Sequence, residues 1–233
     1  MTMHVLVIDI GGTHVKILAT GHARHRECAS GASLTPAAMV EKVRTLASGW
    51  TFDRVSIGYP GAVLQDRPVA EPHNLAGGWV DFDYVAAFGC PVRMVNDAVM
   101  QALGSYRGGK MLFLGLGTGL GSALIVEHLL VPMELAHLPY ESGTFEDYVG
   151  LRGLVAHGEA RWRAYVDDVV DRLVRALLPE DVVLGGGNVR LLKSLPPQCR
   201  RGSNADAFVG GFRLWDKAHR RATSAPHREG TAA

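Results

Sequence analysis

The sequence predicts an α/β protein built as two compact units with a cleft between them. Three observations carry that expectation. The stretches "VLVIDIGGTHVKILAT" and "MLFLGLGTGLGSALIV" each read as strand, glycine turn, strand, one at the start of the chain and one near its middle. A third glycine cluster, in "EDVVLGGGNVRLLKSLP", follows a short apolar run of the kind found in buried parallel strands. The repeated hairpin divides the chain into residues 1–107 and 108–215, and leaves 216–233, polar, small and basic, as a tail expected to be mobile.

In the first hairpin Val5 to Ile10 form an apolar strand interrupted by Asp9, Gly11-Gly12 make the turn, and Val15 to Ala19 resume the strand. An unpaired carboxylate in an apolar strand costs on the order of several kcal/mol, so Asp9 needs a partner. A hydrated Mg²⁺, which takes few direct protein ligands, is one candidate; the turn amides of Gly11 to Thr13 are the other. Lys16 adds charge to this tip if its side chain shares the face of Asp9. A helix follows from about Pro36 to Ser48, with Val40, Val43 and Ala47 on one side, then a strand from Val55 to Gly58. "IGYPGAV" enters a Pro-Gly turn at Gly61, and "EPHNLAGGW" is a loop holding Asn74.

In "RMVNDAVMQALGSYRGG" a strand from Val92 to Val95 gives way to the helical spacing Val99, Met100, Leu103, Tyr106. Asp97 thus stands at a strand-to-helix junction. It is expected to cap the helix, whose dipole would hold the carboxylate ionised. An ionised carboxylate there can accept the proton of an incoming hydroxyl.

The second hairpin is not a dinucleotide fingerprint. Counting G-x-G-x-x-G from Gly115 puts Leu120 where the third glycine belongs, and counting from Gly117 puts Ser122 there; a strand rather than a helix follows. The tip Gly117-Thr118-Gly119 exposes backbone N–H groups that can hold an anion, although a plain turn would look the same. In "VPMELAHLPYESGTFEDYVG", Glu134 and His137 are spaced to face one ligand from a single turn, and Glu146 follows. Such polar groups suit a polyhydroxylated ligand; Glu146 is equally explained as a first-turn helix acid. Helices are expected over "EDYVGLRGLVAHG" and "EARWRAYVDDVVDRLVRALLP", the second with a core stripe of Tyr165, Val169, Leu173 and Leu177. Beyond them, Gly185 to Gly187 let a flat ligand approach the backbone, and Asn188 is expected to cap a following helix. Arg190, Lys193, Arg200 and Arg201 come next, either as a solvated face or as a track for a polyanion. A last helix is expected from Asn204.

Composition sets bounds. A chain of 233 residues, 47% hydrophobic and 20% charged, can bury two cores, and a net charge of +1 gives no general pull toward nucleic acid or membrane. Cys28, Cys90 and Cys199 are isolated, so neither a disulfide framework nor a C-x-x-C zinc site is expected, and a reducing cytoplasm suits them. No secretory leader or long apolar span is expected.

These motifs resemble those of the ROK sugar kinases of the actin-like ATPase superfamily, and within them the polyphosphate glucokinase-like branch. "DIGGTHVK" is similar to the first phosphate motif, "GLGTGLGSAL" to the second and "VVLGGGN" to the adenosine motif, in family order from Val5 to about Trp215. The resemblance implies two actin-like (ribonuclease H-like) domains, the last helix bracing the first. It implies a hexose kinase, most simply a glucokinase, transferring a phosphoryl group from polyphosphate, ATP or both to the sugar 6-hydroxyl with Mg²⁺. Asp97 would be the catalytic base. Asn96, Glu134, His137 and Glu146 would bind the sugar, with Asn74 and Gly61 as further contacts. Asp9, Gly11, Gly12, Thr13 and Lys16, with Gly117 to Gly119 and Gly185 to Gly187, would serve phosphate and nucleotide, and Asp9 would organise Mg²⁺ through water. The chain departs from most ROK kinases in lacking the cysteine-rich zinc loop after His137, as the polyphosphate glucokinase-like branch also does, and in carrying Ala136 where glycine is common. No structural zinc is therefore expected. A homodimer is expected, with no nucleic-acid or membrane partner, since a first motif at Val5 leaves no room for the DNA-binding segment of ROK repressors. A non-catalytic sugar-binding or regulatory protein of this fold is the rival reading, as is an ATP-only kinase for another hexose such as mannose or glucosamine.

Overall fold

The computed structural model describes residues 3–216; the expected tail, apart from Asp216, lies outside the described residues. The first half holds β1 (Val5–Ile10), β2 (His14–Ala19), β3 (Arg26–Ala29), α1 (Pro36–Leu46), β4 (Arg54–Tyr59), the short strands β5 (Val63–Leu64) and β6 (Arg67–Pro68), α2 (Tyr84–Phe88), β7 (Val92–Asn96) and α3 (Asp97–Ser105). The second holds β8 (Lys110–Leu116), β9 (Leu120–Val126), β10 (Leu129–Met133), a 3₁₀ turn at Leu135–His137, β11 (Pro139–Tyr140), β12 (Gly143–Thr144), α4 (Phe145–Val149) and α5 (Leu151–Leu177). After α5 come β13 (Asp181–Gly185), a 3₁₀ turn at Gly187–Leu191, β14 (Cys199–Arg201) and α6 (Asp206–Arg213). The two five-stranded sheets have the same design. One runs β3-β2-β1-β4-β7 and the other β10-β9-β8-β13-β14, each with three antiparallel strands followed by two added in parallel.

Strand alternation assigns the faces. In β1, Leu6, Ile8 and Ile10 point into a core shared with α1 and α2, whereas Val5 and Val7 join a second core that also takes in α3, α6, Met111 and Phe113 of β8, and Ile125 of β9. Leu112, Leu114 and Leu116 turn the other way, onto a third core with α4 and α5. Helices α3 and α6 therefore lie between the two sheets. By the same alternation Asp9, two residues beyond Val7, faces the space between them, as does Gly115 beyond Phe113.

Helix α1 begins as its sequence suggests: the Thr35 hydroxyl accepts the Ala38 N–H, and Pro36 occupies the first turn. The two helices expected after residue 145 meet where Gly158 leaves the helical region at φ 73°, which bends α5. The expected stripe is its core face, with Val169 and Leu173 fully packed and Tyr165 and Leu177 at the margin. The helix expected from Asn204 is α6, and it crosses α3 with glycines at the contact: a Cβ on Gly210 would stand 1.8 Å from the Met100 carbonyl oxygen. It is also bolted to the first sheet. The buried Ser56 hydroxyl of β4 donates to the Gly211 carbonyl at 2.6 Å and accepts from Trp215 Nε1 at 2.9 Å. Ser56→Ala would leave both of those buried groups without a partner and should cost about 1–3 kcal/mol, read as a lower urea midpoint at an unchanged slope.

Candidate active site

The glycine tips of both sheets, the N-terminus of α3 and the 3₁₀ turn at Leu135–His137 converge on one cleft between the sheets, with a cavity of about 540 Å³. Among the predicted site residues, Gly12, Gly61, Asn74, Asn96, Asp97, Gly117, Thr118, Gly119, Glu134, His137, Glu146 and Gly186 line it. Gly187 opens instead onto an adjoining groove of about 380 Å³ with Asn188, Arg190, Gly202 and Asn204. Gly11, Thr13, Lys16, Asp9 and Gly185 are not part of the cavity wall. Sequence reasoning missed Glu71, His73, Gln101 and Phe113, which also line it. Gln101 was within reach, since it follows Asp97 by one helical turn and shares its face.

The junction differs from expectation in two ways. Asn96, not Asp97, caps α3: its Oδ1 accepts the Ala98 N–H at 2.9 Å and the Val99 N–H at 3.4 Å, while its Nδ2 donates to the Gly61 carbonyl at 3.0 Å. Asp97 is the first helical residue and accepts the Ala98 N–H at 2.7 Å. The second correction concerns charge. Desolvation, then the nearby negative charge of Asp9, push the Asp97 carboxyl up to about 7, against the smaller pull of backbone N–H groups. The helix terminus does not hold it fully ionised.

Asp9 is likewise raised, to about 6, by burial, with the charge of Lys16 acting the other way. Lys16 lies directly opposite Asp9 in the β1–β2 register, so their side chains share a face. The turn amides do not serve Asp9: the Gly11 N–H donates to the His14 carbonyl, and neither the Gly12 nor the Thr13 N–H bonds the carboxylate. No described residue hydrogen-bonds the Asp9 carboxylate. A buried carboxylate without a protein donor fits a hydrated Mg²⁺, which takes few direct protein ligands; Asp9 would hold the ion through water. Among the described residues no cluster of three or more His, Cys, Asp or Glu is arranged to hold a metal by itself.

In the same cavity the Glu134 carboxylate and His137 Nε2 are 3.9 Å apart and largely exposed. Glu146 is a first-turn acid of α4, and its Oε2 also accepts the Leu120 N–H at 3.2 Å, so it braces the second glycine tip. The third glycine cluster departs from expectation. It opens a 3₁₀ turn with Gly186 at its start, at φ 82°, and Asn188 caps nothing; its Nδ2 donates to the Gly117 carbonyl at 3.0 Å and ties this turn to the second hairpin. Two of the basic residues are structural as well. Arg200 grips Asp181 through Nε and Nη2, the latter at 2.7 Å, and also donates to the Ser105 carbonyl, while Arg201 donates to the Leu192 carbonyl. Arg190 and Lys193 are exposed.

Known proteins resemble the chain in sequence and in fold. Polyphosphate glucokinase of Mycobacterium leprae is 27% identical over 203 residues, with 78% of this chain and 59% of that protein aligned. The bifunctional enzyme NanE/NanK of Brucella melitensis is 26% identical over 238 aligned positions, with 78% of this chain and 45% of that protein aligned. The chain thus spans about half the length of the curated relatives it matches. Among solved structures, the inorganic polyphosphate/ATP-glucomannokinase from Arthrobacter sp. strain KM superposes with a TM-score of 0.78 at 22% identity, over 90% of this chain and 97% of that one. A ROK family glucokinase from Streptomyces griseus, in complex with glucose and AMPPNP, gives 0.70 at 18% identity, over 91% and 98%. These likenesses show a common fold, the two-sheet α/β architecture of the actin-like ROK proteins. The sequence model of the ROK family matches residues 5–131, a span that includes both hairpins and the Asn96-Asp97 junction, and the chain belongs to the ROK family.

Proposed function

We propose that the protein is a hexose kinase, with glucose the first sugar to test, that transfers a phosphoryl group from polyphosphate or ATP to the sugar 6-hydroxyl. The observation that carries this reading is the placement of Asp97. It stands in a cavity lined by Glu134 and His137, by Glu146 against the Gly117 to Gly119 tip, and by Gly12 of the first tip, with its carboxyl at about 7. A general base serves best when its pKa lies near the working pH, because it must be ionised yet still bind the proton it takes. Asp97 would orient the sugar hydroxyl and accept its proton as the phosphoryl group arrives. Glu134, His137 and Glu146 would hold the remaining hydroxyls, and the N–H groups of the Gly117 to Gly119 tip would hold phosphate oxygens. Asp9 would carry Mg²⁺ through water, and the ion, when bound, neutralises charge on the donor phosphates. Narrowing of the cleft around both substrates would keep out water, which competes with the sugar as acceptor. The relatives named polyphosphate glucokinase and polyphosphate/ATP-glucomannokinase support this choice of donors and sugars.

The pH profile tests it. Only the ionised base is active, so kcat/KM should fall about tenfold per pH unit below about 7 and level off above it. Asp9→Asn removes the like charge that raises Asp97, so the residual activity of that variant should keep its plateau to lower pH. A rate that does not change from about pH 5.5 to 8.5 would remove Asp97 from the base role.

A further inference from the structure

The cavity poses an electrostatic problem for any phosphoryl donor. Its wall carries the carboxylates Asp97, Glu134, Glu146 and Glu71, and no lysine or arginine lines it. Arg200 and Arg201 are committed to Asp181, Ser105 and Leu192. Beyond whatever a metal ion contributes, a polyanion here meets only the imidazoles of His73 and His137, the Thr118 hydroxyl and neutral N–H donors. The backbone N–H groups of the glycine tips are one supply. Side-chain amides are another: Asn74 lies beside the Gly12 tip, and Asn96 is already engaged with Ala98, Val99 and Gly61.

Gln101 is different. It lies one turn after Asp97 on the same face of α3, it lines the cavity, and no described residue hydrogen-bonds its side-chain amide. Its Oε1 is 3.5 Å from the point a Cβ on Gly185 would occupy, so the amide rests against the third glycine cluster. Phe113 packs at that same point, its nearest ring atoms 2.5 and 2.8 Å away, and lines the cavity together with Gln101. We infer that Gln101 is a donor-side contact, whose amide N–H groups hydrogen-bond the phosphoryl oxygens of the donor next to the transferred group. The inference rests on the kinase reading for the name of the ligand, but its ligand chemistry, an inorganic phosphate chain, is testable by itself.

The experiment measures binding of inorganic tripolyphosphate, with Mg²⁺, to the wild-type chain and to Gln101→Ala and Gln101→Glu, by calorimetry. Steady-state KM values for donor and glucose are measured alongside, and circular dichroism melts confirm folding. Gln101→Ala should weaken tripolyphosphate about tenfold, the effect of one lost hydrogen bond to a charged group. Gln101→Glu, of the same shape but bearing a negative charge, should weaken it further, while the glucose KM stays within about twofold in both. Equal tripolyphosphate affinity in all three proteins, a Gln101→Glu no weaker than Gln101→Ala, or a loss confined to the glucose KM would each overturn the assignment. Weakened tripolyphosphate binding supports Gln101 even in a protein that phosphorylates no sugar, a result that would overturn the kinase reading alone.

Discussion

Asp97→Asn should lower phosphoryl transfer by about 10²–10⁴-fold while leaving glucose affinity within a few-fold, because the amide keeps the shape and the hydrogen-bonding capacity of the side chain but cannot take a proton. The same substitution should make the protein more stable. The folded carboxyl titrates at about 7, above its ordinary value of 3.8, so between those values the folded state holds a proton that the unfolded chain has released. Stability contributed through this group therefore falls as pH rises from about 4 to about 7, and the cost of the ionised form is present in full above 7. Removing the charge should then recover on the order of a few kcal/mol at pH 8 and little at pH 4. Paired melts of wild type and variant at those two values check this. A gain as large at pH 4 as at pH 8 would mean that the effect does not come from ionisation. Loss of activity together with a pH-dependent gain in stability is the signature of a charged group held in place for chemistry rather than for folding.

The second large effect should come from Gly210→Ala. A methyl group there would meet the backbone of α3, the Met100 carbonyl oxygen at 1.8 Å and the Gly104 nitrogen at 2.9 Å, and backbone cannot swing aside as a side chain can. The helices must separate, at a cost of about 3 kcal/mol or more, which for a chain of this size lowers the melting temperature by roughly 8 °C. Activity should fall as well, since α3 carries Asp97 at its first position. A melting temperature within a degree of wild type would show that the crossing tolerates a methyl group.

Much of this arrangement was legible in the sequence. Glycine clusters after apolar runs marked both hairpins, and the alternation Val5, Val7, Asp9 places the carboxylate on the face that turns out to look between the sheets. The Glu134–His137 spacing foretold their approach. What stayed hidden depended on competition between neighbours. Asn96 and Asp97 are both good caps, and only the backbone of the junction decides for Asn96, whose Oδ1 reaches two N–H groups. The raised carboxyl of Asp97 depends on burial and on Asp9, far away in sequence. Asn188 looked like a cap because glycine and then asparagine precede an apolar stretch, but the Gly117 carbonyl claims it. Arg200 looked free because its partner, Asp181, lies 19 residues earlier and reaches it through the parallel pairing of β13 with β14.

The most direct test of the central claim is the reaction itself. The wild-type chain with Mg²⁺ is offered polyphosphate or ATP as donor and glucose, mannose or glucosamine as acceptor, and the products are resolved by phosphorus NMR. A hexose 6-phosphate is expected from at least one pairing, formed at the expense of the donor's terminal phosphoryl group. Saturable glucose binding with no sugar phosphate from any pairing would contradict it and leave a sugar-binding protein in its place.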